Sequence, residues 1–409
     1  MKVQQGSYKN ILKKLFYLCG ALIAFTIPLS IRFNSYAIIL FAVLFLLNLS
    51  SRNFSVNKIS PWLFCLFISF YLFEVVSLLY SVNKDEGISV LQKKISLLVF
   101  PLLLAFIRDF NIKIVLKGLI VGCLLALLVC YSYAIFRFIA TADFDEFFYE
   151  KFTEPIRIQP TYFALHISLA LLIIVNELKD SSLLKSRTKI IYWAMIFLFF
   201  ISILFLSSRT ILFIISIILL YEIYFTFLKK GSLLLKTCTL VILIISGYIF
   251  IGKSPVLKSR IMDMVKTKFY FSPGENNANG LTLRLVKWQC SIEGIEGSPF
   301  KGVGTGDAQK YLQDCYKEKN FWGQVFQYNS HNQFLQIGLA SGVVTMLFYL
   351  LSLLVPLFIS IKHRNILYAE FLILIIVLSL TESLLERQQG VVLYSFFNAV
   401  FAFHSFKRP

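Results

Sequence analysis

Three residues of the chain have types and positions that suit anion binding and proton transfer. Arg209 separates two apolar runs in "FLFFISILFLSSRTILFIISIILL". A guanidinium there either snorkels to lipid headgroups or turns inward, where its planar fork suits a phosphate through two parallel charge-assisted bonds. Arg284 lies in "LTLRLVKWQCSIEGI", where Leu281, Leu285, Trp288 and Ile292 make an apolar face at helical spacing. Arg284 falls near the edge of that face and reads equally as a solvated side chain or an anion ligand. Lys287, also near that edge, reads as solvated. His331 opens "HNQFLQIGLASGVV". It is either a polar cap or interfacial ring or, with an ordinary imidazole pKa of about 6.5, a proton acceptor. His166, in "YFALHISLA", reads as a buried, hydrogen-bonded ring, and His363 and His404 as incidental.

Other polar residues collect at the same ends of the apolar runs. They are Lys93 and Lys94; Arg157, Gln159 and Tyr162; Ser207 and Ser208; Asn332 and Gln333; and Glu382, Glu386, Arg387, Gln388 and Gln389. Charge at membrane depth is costly, so polar groups gathered on one side need a reason. Convergence on one cavity would make it cationic, with a histidine and a few carboxylates. Asn332 and Gln333 are expected to cap the following helix or to orient the His331 ring. Glu382 and Glu386 are four apart, the spacing of one helical face, with Arg387 adjacent. An intrahelical ion pair is expected there, and positioning of Arg387 or contact with a sugar is the alternative. "GVGTGD" (302–307) has no strand before it, so it fails the context of a dinucleotide-binding loop. It is expected to be a tight turn with Asp307 capping a short helix.

The elements that must hold these residues are apolar. Of 409 residues, 57% are hydrophobic and only 15% charged. Apolar runs long enough to cross about 30 Å of hydrocarbon recur along the chain. Because a spanning segment must satisfy its own backbone, the expectation is an all-α, polytopic integral membrane protein. Continuous rather than alternating apolar runs argue against a β-barrel. Twelve spans are predicted, over 14–31, 35–49, 60–80, 93–108, 114–139, 160–177, 189–207, 209–228, 233–252, 331–361, 366–381 and 389–405. The fourth contains Pro101 and is expected to be short or kinked. Span centres carry almost no charge apart from Glu74 and Glu222.

The net charge of +18 is spread through short tracts between spans, the pattern of loop charges rather than of nucleic-acid binding. With the N-terminus inside, 20 of the basic residues fall in cytoplasmic segments and nine in short outside segments. That bias puts both termini in the cytoplasm. One membrane domain, 1–409, is expected, with one long, mainly helical outside loop (253–330) between spans nine and ten, packed on the bundle. The loop has a patch "SPGENNANG" and two predicted helices, over about 282–295 and 307–319. Cys290 and Cys315 both lie in it. An oxidising compartment can pair them, but sequence does not give their separation. Cys19, Cys65, Cys123, Cys130 and Cys238 read as small apolar packers. No Cys/His spacing suits zinc or haem.

Several stretches together resemble the O-antigen ligase and polymerase superfamily of bacterial envelope glycan enzymes. They are "QPTYFALHISLA", "LSSRT", "RLVKWQCSIEGIEGSPFKGVGTGDAQKYL" and "HNQFLQIGLASGVVTMLFYL", with "TESLLERQQGVVLYSFF" near the end. The resemblance covers about 160–400, and here the pair before Thr161 is Gln159-Pro160 rather than His-Pro. It implies an inner-membrane glycosyltransferase working at the periplasmic face without metal or cofactor. The implied donor is a glycan on undecaprenyl pyrophosphate, moved en bloc with inversion. The implied acceptor is a hydroxyl of lipid A–core, with another lipid-linked repeat (a polymerase) or a protein Ser or Thr as alternatives. The motif residues carry over as Arg209, Arg284 and His331, the last as general base. Arg157, Tyr162, Lys94, Asn332, Glu382 and Arg387 are the expected substrate-binding residues. A lipid-linked glycan flippase is the rival class, but it would need charges through the bilayer centre or inverted repeats.

Overall fold

The computed structural model describes residues 2–50, 61–107, 110–179, 185–225, 280–321, 323 and 325–404. The described residues contain helices and turns and no strand. The first helices are α1 (Lys2–Thr26), α2 (Ile31–Ser50), α3 (Pro61–Ser77), α4 (Lys84–Lys94), α5 (Ser96–Ala105) and α6 (Ile112–Thr141). After a short α7 (Tyr149–Thr153) come α8 (Pro160–Lys179), α9 (Ser186–Leu206) and α10 (Arg209–Ile223). The later helices are α11 (Gly280–Gly297), α12 (Ala308–Glu318), α13 (Gln333–Lys362), α14 (Ile366–Ser379) and α15 (Gln388–His404). Among the described residues, six helical stretches are long and apolar enough to cross a membrane, and two apolar helices, Trp62–Ser77 and Ile366–Ser379, are shorter.

Eleven of the twelve expected spans fall on these helices. The ninth, 233–252, lies outside the described residues, as does "SPGENNANG". Where boundaries move, local chemistry moves them. The fourth span, expected over 93–108, is two helices meeting at Ile95. The first of them, α4, is polar. Asn83 caps its N-terminus, Asp85 and Glu86 occupy its first turn, and Lys93 and Lys94 its last, which matches the helix dipole at both ends. Glu74 and Glu222, read as charges at span centres, stand in the last turns of α3 and α10 instead.

The bundle packs α1 against α2 and α6, α3 against α13, α5 against α15, and α8 against α9. Gly118 and Gly122 let α6 approach α1 closely. A Cβ on them would lie 2.4 Å from the Ala21 carbonyl oxygen and 2.2 Å from that of Phe25, the small-residue contact that membrane helices favour. Phe16, Phe41, Phe100, Phe110 and Phe396 interlock by stacked and edge-on contacts at the centre.

The helices predicted in the long loop form as α11 and α12, and Cys290 on α11 is disulfide-bonded to Cys315 on α12. The connection between them does not form the expected cap. Asp307 makes no side-chain bond to α12. Its carboxylate instead accepts from the Val82 and Asn83 amides, at 2.7 and 3.0 Å. Thr305 donates to the Glu74 carbonyl at 3.0 Å, and the Gly306 amide donates to Ser81 at 3.1 Å. Two peptide amides without helical partners attract this carboxylate more strongly than an α12 terminus that other groups can satisfy.

The same connection repairs a break in α13. Gly342 has φ +87° inside that helix, a conformation available at little cost only to glycine. Val343 N then donates to the Pro299 carbonyl at 2.8 Å rather than back along its own helix. The freed carbonyls of Leu339 and Ala340 accept from Val303 N at 2.8 Å and Gly304 N at 3.0 Å. A Cβ on Gly342 would come within 2.2 Å of the Phe300 carbonyl oxygen. The "GVGTGD" loop is thus a clasp joining the broken helix to the α3–α4 corner.

Candidate active site

The turn between α14 and α15, residues 380–386, is the hub on which the polar residues meet. Four residues from three helices hold it. Thr210, in the first turn of α10, shares a hydrogen bond with Thr381 at 2.9 Å. The buried Tyr162 of α8 donates to the Ser383 carbonyl at 3.4 Å. Asn332 caps α13 by accepting from Leu335 N at 3.1 Å, and its amide donates to the Leu380 carbonyl at 3.2 Å. Gln333, fully buried, accepts from Leu385 N at 2.6 Å. Asn332 therefore does cap the helix, and both amides also fix the turn.

Glu382 projects from this turn between two of the three singled-out residues. Its Oε1 lies 3.5 Å from Arg284 Nη2 and its Oε2 lies 3.2 Å from His331 Nδ1. Glu382 and Glu386 were expected to share a helical face, and they do not. The chain turns at 380–383 and runs as a 3-10 segment over Leu384–Glu386. Glu386 pairs instead with Lys94 at 2.7 Å, and Lys94 also pairs with Glu74 at 2.9 Å. Lys94 is buried and its charge is already matched in this arrangement, so it braces the junction of α3, α4 and the turn.

Arg209 is half-buried at the start of α10. Its neighbour Thr210 bonds to Thr381, the residue before Glu382, which brings α10 to the hub. Ser207 ends α9 in the left-handed conformation, and this sharp reversal places "SSRT" at a helix end. Arg157 and Arg387 are exposed. Arg157 ends a short 3-10 turn ahead of α8. The Arg387 carbonyl accepts from Gly390 N and Val391 N, and so begins α15.

The His331 segment is fixed by its neighbours. His331 has φ +46°, a region a histidine occupies only when its surroundings hold it there. Its amide donates to the Asn329 side chain at 3.1 Å. Ser330 donates to Gln336 at 2.7 Å and accepts from Ser291 of α11 at 2.8 Å. The Arg284 helix and the His331 segment are therefore bonded to each other directly. Tyr328 meets the His331 ring edge-on, with centroids 5.8 Å apart.

Lys287 departs from its reading as a solvated residue. It is 4% exposed, and its ammonium lies over the Tyr328 ring, 3.7 Å from the centroid. Burial, with Arg284 one turn away, pushes its pKa down to about 7. Burial also holds His331 below the ordinary imidazole value. The Glu382 carboxylate pulls the other way, and Lys287 and Arg284 add to the lowering. For Glu382 itself burial favours the neutral acid, but His331, Arg284 and Lys287 outweigh it and hold the carboxyl below the usual range. At neutral pH the site thus carries an ionised Glu382 and a largely neutral His331.

Chemically, the arrangement can hold an anion beside its cations and offers a neutral imidazole at the rim. Glu382 lies 3.2 Å from Nδ1 of His331, at ion-pair distance though not aligned as a hydrogen bond; a proton kept on Nδ1 leaves Nε2 free to accept one. Cys290, Glu293 and Cys315 lie close enough together to suggest a metal site, but the two sulfurs are bonded to each other. Among known proteins, residues 194–350 match the family described as O-antigen ligase. That segment includes Arg209, Arg284, Lys287 and His331 and stops short of Glu382. No curated protein matches the chain.

Proposed function

The chain belongs to the O-antigen ligase superfamily, and from that premise we propose that it is a membrane glycosyltransferase with an undecaprenyl-pyrophosphate-linked glycan as donor. It transfers the glycan en bloc to a hydroxyl of lipid A–core at the periplasmic face of the inner membrane. The observation that carries this reading is Glu382 joining Arg284 to His331 beside the start of α10. Three groups needed for transfer from a pyrophosphate are then neighbours: cations for the leaving group, a base for the acceptor, and a carboxylate to orient the base.

The acceptor hydroxyl attacks the anomeric carbon as the bond from that carbon to the phosphate oxygen breaks. His331 Nε2 takes the hydroxyl proton, and Arg209 and Arg284 stabilise the charge that builds on the departing pyrophosphate. One displacement inverts the anomeric configuration. The paired arginines supply the charge that a divalent cation supplies in other phosphate chemistry. The Cys290–Cys315 disulfide suits an oxidising compartment, which supports the periplasmic side.

The test is reconstitution of the purified protein with a lipid-linked oligosaccharide and lipid A–core. Glycosylated lipid A–core is the expected product, at a rate unchanged by EDTA. Elongated lipid-linked glycan alone would make the protein a polymerase instead. His331→Ala is expected to lower kcat by about 10²–10⁴-fold. Arg209→Ala and Arg284→Ala are each expected to cost about 10²-fold or more. Near-normal transfer by the His331 variant would remove the base assignment.

A further inference from the structure

Among the described residues, one cation at this site has no anion of its own to match it. Lys287 stands three residues, one helical turn, from Arg284 on the same face of α11. It is almost completely buried. Among the described residues its ammonium has no salt-bridge partner. The carboxylate that acts on it, Glu382, already faces Arg284 and His331. Burying an ammonium without a carboxylate is costly, and the face of Tyr328 offsets only part of that cost. Packing alone would be served as well by Leu or Met. The position is also rigid, because Ser291, one turn further along, accepts no slack: it bonds back to the Lys287 carbonyl at 2.7 Å and across to Ser330 at 2.8 Å. Lys287 therefore stands at a set distance from His331, with the Tyr328 ring touching both.

We propose that Lys287 is a third cationic ligand for the donor's pyrophosphate, resting on Tyr328 in the arrangement described and reaching the phosphate oxygens beside Arg284 when the donor binds. This deepens the transfer reading above and rests on it. Arg284 and Lys287, one turn apart, share the one carboxylate of Glu382, an excess of positive charge that fits a pyrophosphate diester. The lowered Lys287 ammonium adds a consequence. An incoming phosphate favours the charged form, so binding takes up a proton. Among the described residues, the charged and titratable groups facing Lys287 are Arg284 on its own helix, Tyr328 beneath its ammonium, His331 in the segment entering α13, and Glu382 in the hub turn. Above neutral pH the carboxylate is ionised and the imidazole neutral, so Lys287 is the group that changes.

Binding of undecaprenyl pyrophosphate to purified protein in nanodiscs tests this, with wild type, Lys287→Met and Lys287→Arg compared. Lys287→Met is expected to weaken binding about tenfold or more, whereas Lys287→Arg keeps it within about threefold. Wild-type affinity is expected to fall about tenfold more than that of Lys287→Arg between about pH 7 and about pH 9, because only the lysine titrates there. The arginine variant subtracts the ligand's own ionisation. If Lys287→Met fails to fold, the comparison of wild type with Lys287→Arg decides alone. Equal affinity of the Met variant, or parallel pH curves for wild type and the Arg variant, overturns the proposal while leaving the transfer reading intact. So does a Met variant that binds undecaprenyl pyrophosphate normally but needs more of a phosphorylated acceptor. Wild type that binds no undecaprenyl pyrophosphate at all overturns the donor reading itself.

Discussion

Glu382 decides what the cationic side chains around it can do. It is the one carboxylate shared by Arg284 and His331, and it works against the burial that lowers the imidazole pKa. Glu382→Gln removes that opposing pull, so the pKa of His331 falls further. A base must be neutral to act, so the acid limb of kcat/KM against pH moves to lower pH in this variant, while kcat at neutral pH falls as the ring loses its orientation. An acid limb that stays in place would mean that Glu382 does not position His331. At this scale the sequence was informative about type but not about neighbours. Arg284 and His331 were recognisable as groups able to bind an anion and move a proton. The four-residue spacing of Glu382 and Glu386 suggested a helical pair, whereas the chain turns between them and sends each to a different cation. Lys287 sat at the edge of an apolar face, and a helical wheel cannot show that Tyr328, from a distant segment, covers it.

Among the elements, the broken helix α13 and the 299–307 clasp depend on each other. Gly342→Ala puts a Cβ 2.2 Å from the Phe300 carbonyl oxygen at φ +87°. It is expected to destabilise the protein by about 1–3 kcal/mol. Gly297→Ala, where a Cβ meets nothing within 4 Å, should change stability by no more than about 0.5 kcal/mol. Thermal unfolding of both detergent-solubilised variants checks the contrast, and equal midpoints would mean that the break tolerates a side chain. Apolar run length made the helices legible, including α11 and α12 in the long loop. The break at Gly342 was hidden because "IGLASGVV" has an ordinary apolar pattern, and its cause lies in amides about forty residues earlier. Asp307 looked like a cap for the same reason: local spacing predicts local partners, and here the stronger partners were the remote amides of Val82 and Asn83.

At the scale of the whole molecule, the polar groups divide between two ends. The hub gathers the starts of α8, α10, α13 and α15 and the ends of α3 and α14. At the opposite end Lys179 pairs with Glu222, and Asn176 donates to Glu370 at 2.7 Å. On the topology expected from the basic residues of the intervening segments, the hub would lie outside and both termini inside. Alkaline phosphatase fused after Lys319 is therefore expected to be active, and a fluorescent protein fused after His404 to fold and fluoresce in the cytoplasm. The opposite pattern would put the hub on the wrong side for a periplasmic enzyme. The clasp at Gly342 also bears on how the chain is built. Two carbonyls of α13 have no partner in their own helix, and in hydrocarbon such groups are costly to leave open. Their partners, Val303 and Gly304, are synthesised first, and on that topology they would have to be across the bilayer when α13 inserts. Completion of this span is thus tied to the export of the loop before it, so the chain carries its own order of assembly: loop out first, helix closed second.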